Sequence, residues 1–275
     1  MRRNIHWRNG ARCVVLLTVD VDGETLWLSR DPALADRPLH MSMGAYGPKE
    51  GVPRILEVLD RYRIKAGFFI PGWTMERYPD LTKEIHARGH EIGHHGYLHE
   101  KPAYVNDRAQ EEAALLKGLE VFDKLLGTRP AGYRTPSAEP SKYTFALLAK
   151  HGFRYHSNLM DRDIPYWLST EHGPILELPT AWVLDDFVFF GHSFNPPVGH
   201  GIRNQDDVYG IWAEEFEGMY EEGGYFHLMM HPQVIGRPHR MRMVERLIQR
   251  MVGKGDVWFA RPIDLVEHWA AQSPA

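Results

Sequence analysis

Cys13-Val14-Val15-Leu16-Leu17-Thr18-Val19-Asp20-Val21-Asp22-Gly23-Glu24 is the stretch whose reading decides the fold. Residues 13–19 form an apolar run of strand length, and acids and a glycine follow at once. A run without polar alternation reads as a strand covered on both faces, the position of an inner strand in a parallel sheet. The acids then fall at that strand's C-terminal end. A second stretch, His90-Glu91-Ile92-Gly93-His94-His95-Gly96-Tyr97-Leu98-His99-Glu100, holds four histidines and two carboxylates. It too follows a short predicted strand, residues 91–93.

Outward from these stretches, strand and helix alternate. Helices are expected over 52–62, 79–88, 108–126, 141–151, 206–220, 241–251 and 263–269. Strands are expected over 65–71, 130–134, 153–156, 175–179, 187–190, 225–230 and 257–260. Residues 28–51 and 191–204, rich in Gly, Pro, Met or His, read as long inserted loops covering a site or a neighbouring subunit. No linker-like break interrupts 1–275, so the expectation is one domain: an α/β fold, a distorted (β/α) TIM-like barrel of seven or eight strands. Polar clusters follow four predicted strands, at Asp20/Asp22, His94/His95/His99, Arg134 and His231. Barrel active sites are assembled from those ends.

Composition narrows the class. The chain has 275 residues, 43% hydrophobic and 25% charged, which suits a globular protein. A net charge of -4 offers no bulk attraction to nucleic acid or anionic lipid, and neither is expected as a partner. The one cysteine, Cys13, reads as a buried small hydrophobe. The basic start, MRRNIHWRNGAR, lacks a signal-peptide core, and no apolar run is long enough to span a membrane, which favours a cytoplasmic address. Eight tryptophans and twelve tyrosines exceed what a core needs, so some rings are expected around a cavity.

His95 and His99 are four apart, so one helical turn would point both the same way. Paired imidazoles suit a borderline-soft dication, and Asp22 is the natural third ligand. Two histidines and one carboxylate leave a position for water. Asp20 can then take a proton from that water, and Arg134 can pair with Asp20. His231 can protonate a leaving group or steady an oxyanion. Asp185 and Asp186 are alternative supports for His231. His94 reads as a supporting group, and His192, His200 and His239 as loop residues.

These motifs resemble those of the polysaccharide deacetylase (NodB homology) family. Thr18-Val19-Asp20-Val21-Asp22-Gly23 resembles its first motif, with one residue inserted between the acids. His95-Gly96-Tyr97-Leu98-His99 resembles the second, with Gly96 replacing a hydroxyl residue. Arg134-Thr135-Pro136 matches the third and Leu228–Pro232 the fifth; Trp182 and Asp185 meet the fourth loosely. The resemblance implies catalytic Asp20, His231, Arg134 and Asp185, and metal ligands Asp22, His95 and His99. It implies a divalent ion, zinc first, with Co2+, Mn2+ and Fe2+ accepting the same ligands. The implied reaction is hydrolysis of a non-peptide amide C–N bond, by metal-bound water that Asp20 activates. The Asp-x-Asp form resembles an outlying branch of intracellular peptidoglycan-deacetylase-like, cyclic imide hydrolase and allantoinase-like proteins. That branch implies a homotetramer and a pocket closed by inserted loops. The expected substrate is a small amide, imide or N-acetylated sugar. Cyclic imide or ureide hydrolysis is the leading specific alternative, and a catalytically silent carbohydrate-binding protein the rival of another class.

Overall fold

The structure is a computed structural model that describes residues 5–199 and 201–275. Its strands are β1 (Cys13–Asp20), β2 (Gly67–Ile70), β3 (Glu91–His94), β4 (Gly132–Tyr133), β5 (Tyr155–His156), β6 (Tyr166–Leu168), β7 (Ile175–Glu177), β8 (Ser193–Phe194), β9 (Pro197–Val198), β10 (Tyr225–Met230) and β11 (Val257–Ala260). Nine of them form one curled sheet in the order β10-β1-β2-β3-β4-β5-β7-β6, with β11 also on β1. Every pairing in it is parallel except that of β6 with β7. The fold is the distorted TIM-like barrel expected, with an antiparallel edge strand, β6, that the sequence pattern did not reveal.

β1 is the axis of this sheet. β10 runs along one side of it, from Val14 to Val19. On the other side β11 pairs with Cys13–Leu16, and β2 takes over at Thr18–Asp20. Alternation then sorts its side chains. Cys13, Val15, Leu17 and Val19 pack outward against the helices, in the large cluster with Phe226, Leu228 and Met230 of β10. Val14 and Leu16 point inward with Phe69, Tyr155, Leu176 and Tyr225. Thr18 and Asp20, next on the inner face, are both buried. The barrel is therefore apolar at its floor and polar toward the C-terminal ends of its strands. Cys13 is buried at the outer face, as expected.

The curl closes by side chains rather than by a full ladder. The chain beyond β7 returns beside β10, where Asp185 forms an isolated parallel bridge with Met229. The Tyr225 hydroxyl donates to the Pro179 carbonyl at 3.2 Å, and His227 Nδ1 reaches the same oxygen at 2.9 Å.

Three expected elements differ. Residues 28–51 are not a loop: they hold the turn Pro32–Asp36, the helix Pro38–Tyr46 and the π turn Gly47–Gly51. Proline occupies the first turn of the first two, where its missing N–H costs nothing, whereas Pro48 lies inside a continuous helical run, at the π turn. Residues 187–190 are not a strand but the helix Asp186–Phe190, started by Asp185, whose carboxylate accepts from Phe187 N at 2.8 Å. His239 lies not in a loop but in the first turn of the helix Pro238–Val252. The segment 191–204 contains the β8–β9 hairpin; His200 lies outside the described residues.

Candidate active site

Asp20 ends β1, His95 follows β3, Arg134 follows β4 and His231 follows β10, so parallel strands deliver all four to one end of the barrel. They meet at a cavity of about 210 Å3, also lined by Asp22, His99, Asp185, Trp182, Phe187 and Met229. Of the tryptophans and tyrosines expected around a cavity, Trp182 is found here, with Phe187 beside it. Many of the others are core, among them Trp27, Trp212 and Tyr155.

Asp22, His95 and His99 are all buried, with one ligand atom from each lying within 4.8 Å of the others. His95 Nε2 is 3.4 Å and His99 Nε2 3.6 Å from Asp22 Oδ1. His95 Nδ1 lies 2.7 Å from the Arg134 carbonyl, which can only accept, so the proton sits on Nδ1 and the Nε2 lone pair is free. Asp22 Oδ2 accepts from Gln233 Nε2 at 3.0 Å, whereas Oδ1, facing both rings, has no hydrogen-bond partner. Burial pushes His99 down to about 3, against the pull of Asp22. Burial would raise Asp22, but the neighbouring imidazoles, His99 foremost, hold it well below the usual carboxylate range.

One anionic oxygen and neutral nitrogens are the donors a divalent ion needs. In a tetrahedral site with bonds of about 2.1 Å, ligand atoms sit ~3.4 Å apart, close to the spacing found. The three residues fit the ion that the motifs imply.

The ligand loop is not the helical turn its spacing suggested. Residues 95–100 are irregular. Gly96 has φ +73° and His99 φ +59°, both left-handed. The Glu100 carboxylate holds the loop, accepting from Tyr97 N at 2.9 Å and Leu98 N at 2.8 Å. A side chain at Gly96 would meet Glu100 Oε2 at 2.8 Å. Glycine is therefore favoured where the resembling motif carries a hydroxyl residue. His94, on the outer face of β3, turns away from the site. Its Nε2 lies 3.0 Å from the Leu115 carbonyl and its ring stacks on Phe122.

On the opposite wall, His231 Nδ1 lies 2.7 Å from Asp186 Oδ1, and its backbone N–H donates to the same carboxylate. Asp185 is farther, 3.5 Å from Nδ1. Of the two alternatives it is Asp186, fully buried, that bonds the ring, while Asp185 lines the cavity and caps its helix. Burial opposes the imidazolium of His231, but Asp186 and then Asp185 outweigh it and raise the ring well above its ordinary value. Burial pushes Asp185 up to about 7, against the pull of His231. His231 Nε2 faces Asp20 Oδ2 at 3.9 Å.

Arg134 Nη1 donates to Asp20 Oδ1 at 2.7 Å and Thr18 Oγ1 at 3.0 Å, and Nη2 to Ser157 Oγ at 3.0 Å. Its guanidinium lies over the Phe69 ring. Nη2 also reaches His227 Nε2 at 2.9 Å, and burial with the Arg134 charge holds His227 well below its ordinary value. A neutral ring can accept that bond. His227, Gln233 and Ser157 escaped the sequence reading. Only His227 left a signal there: it is inward-facing by period two from Met229, within a strand otherwise aromatic or apolar.

Comparison with known proteins gives the class to which a barrel with these groups at its C-terminal rim belongs. The polysaccharide deacetylase family model matches residues 45–156, which include His95, His99 and Arg134. A peptidoglycan deacetylase of Helicobacter pylori is 32% identical over 264 residues, spanning 86% of this chain and 89% of that one. A solved structure from Mycobacterium smegmatis, provisionally assigned as a polysaccharide deacetylase, is 39% identical. It superposes with a TM-score of 0.94 over 98% of this chain and 94% of that one. The PuuE allantoinase structure is 26% identical, with a TM-score of 0.86 over 98% and 94%. The chain belongs to the polysaccharide deacetylase family. It is a hydrolase acting on amide C–N bonds.

Proposed function

We propose that the chain hydrolyses a non-peptide amide C–N bond with a divalent ion held by Asp22, His95 and His99. The observation that carries this reading is Asp22 Oδ1: buried, unpartnered and facing two imidazole nitrogens. Leaving such an oxygen unmatched costs more than its hydrogen bonds would return. A bound ion supplies Lewis acidity toward the carbonyl and lowers the pKa of water beside it.

The protein's own groups divide the proton work. Asp20 accepts the proton of the attacking water, with Oδ1 fixed by Arg134 and Oδ2 toward the cavity. Arg134 is in turn fixed by Thr18, Ser157 and His227, so the carboxylate is oriented before substrate arrives. His231, held protonated by Asp186, donates to the departing nitrogen through Nε2. A carbonyl carbon placed between the Asp20 and His231 walls meets a base on one side and an acid on the other.

A second reading concerns the substrate. The cavity of about 210 Å3 has room for roughly seven waters, which suits one ring or one acyl group rather than a run of sugars. A cyclic imide or ureide, in keeping with the likeness to an allantoinase, would fit that space whole, whereas the glycan that a peptidoglycan deacetylase takes would place only its acyl group there. A screen of metal-replete protein tests both. Release of acetate from N-acetylglucosamine oligomers supports the deacetylase reading, and opening of succinimide or dihydrouracil rings supports the imide reading. Turnover of neither class, at full metal occupancy, would overturn the proposal.

A further inference from the structure

Behind Leu26 and Phe187, which line the candidate site on one face, lies a second cavity of about 210 Å3 that they line on the other. Twelve buried polar side-chain atoms among the described residues have no hydrogen-bond partner. Four of them belong to residues around this cavity: Trp27 Nε1, His192 Nδ1, Gln233 Oε1 and Arg240 Nε. Native proteins leave few such atoms, and these four, themselves closed off from the cavity, mark a wall that is poor in polar partners.

Arg240 gives the ligand its sign. It is 7% exposed, donates through Nη1 to the Val234 carbonyl at 2.7 Å, and lies over the Phe190 ring at 4.5 Å. Asp186, the acid that acts on it through space, is already bonded to His231. Arg237, exposed at the same cavity, lies over Tyr46. Among the described residues, no carboxylate lines the cavity. A buried guanidinium in an apolar wall is costly without a counter-charge, and an oxyanion matches both its charge and its N–H geometry.

The apolar walls give the ligand its body. Phe187, Phe190, Val198 and Val234 would strip a phosphate dianion of water without returning hydrogen bonds. They would gain from burying carbon. We propose that this cavity is a second ligand site, distinct from the catalytic one, for a small monocarboxylate with an apolar body, gripped by Arg240 within and Arg237 at its edge. The volume, that of about seven waters, admits a molecule of the size of butyrate or benzoate.

Calorimetric titration of the full chain with butyrate, benzoate and inorganic phosphate tests this. Butyrate or benzoate should bind at one saturable site, and phosphate at least about tenfold more weakly. Arg240→Met should weaken carboxylate binding by at least about tenfold, and Arg237→Gln by a few-fold, roughly three to ten. Arg237→Gln keeps the test open if Arg240→Met does not fold. His95→Ala should leave carboxylate binding unchanged, because His95 lies at the other cavity. The proposal fails if the folded wild type binds no carboxylate up to about 50 mM. It fails equally if phosphate binds tighter, if neither arginine variant matters, or if His95→Ala abolishes binding.

Discussion

Two acid–imidazole clusters face each other across the cavity: Asp22 with His95 and His99, and Asp185 with Asp186 and His231. Both bring three ligand-type atoms within 4.8 Å, so composition does not separate them. Hydrogen bonds do. In the first cluster His95 Nδ1 is tied to a carbonyl, Asp22 Oδ1 has no partner, and free lone pairs converge. In the second, the acids are occupied by the N–H groups of Phe187 and His231 and by the His231 ring. One arrangement asks for a cation and the other already holds a proton. The same residue types do opposite work because of where their second atoms point.

The largest effect should come from the base between the clusters. Asp20→Asn should keep the ion and lower kcat by ~10²–10⁴. Arg134 Nη1 retains Thr18 Oγ1, so the variant should fold. Metal analysis beside steady-state kinetics checks this; loss of the ion would make Asp20 a ligand and blur the contrast drawn above.

Asp186→Asn should lower kcat by about 10–100-fold with the ion retained. It should also move the basic limb of the pH–rate profile. His231 must be protonated to donate, and Asp186 raises it, so removing that charge shifts the basic limb to lower pH. An unmoved limb would remove His231 from the role of acid.

How far the sequence carried this picture depends on whether a residue's partner is local. The run 13–19 was legible as a strand because its burial on both faces is written in its own apolar side chains. The placement of acids and histidines after strands followed from it, and these residues do converge. Residues 187–190 were misread because four apolar residues carry no period, and the deciding feature is the Asp185 cap. The spacing of His95 and His99 suggested a helix, yet convergence comes from left-handed Gly96 and His99 and from Glu100. Asp186 over Asp185, and the roles of His227 and Gln233, depend on contacts more than forty residues distant in sequence, which no local pattern records.

That loop gives a smaller, sharper test. Gly96→Ser restores the hydroxyl of the resembling motif but forces a left-handed serine against Glu100. It should lower stability by ~1–2 kcal/mol and weaken metal retention. An unaltered Tm and unaltered metal content would mean that the loop tolerates the family residue.

The smallest effect lies at the far end of β3. Burial raises Glu91 from 4.5 to about 7, only partly offset by the Tyr155 hydroxyl and Ile263 N–H. Across that window the folded chain keeps a proton that the unfolded chain has lost. Stability from this group is therefore full below 4.5 and declines as pH rises through about 7. Glu91→Gln should flatten that decline, read as urea midpoints at about pH 5 and about pH 7.5.

The central claim is that the Asp22 cluster binds the cation and the His231 cluster does not. Titrating chelator-treated protein with Zn2+, in wild type, His95→Ala, His99→Ala and Asp186→Asn, measures it directly. One ion per chain in wild type and Asp186→Asn, with loss from both histidine variants, is the expected result. Stoichiometric zinc in both histidine variants, or its loss in Asp186→Asn alone, would contradict it.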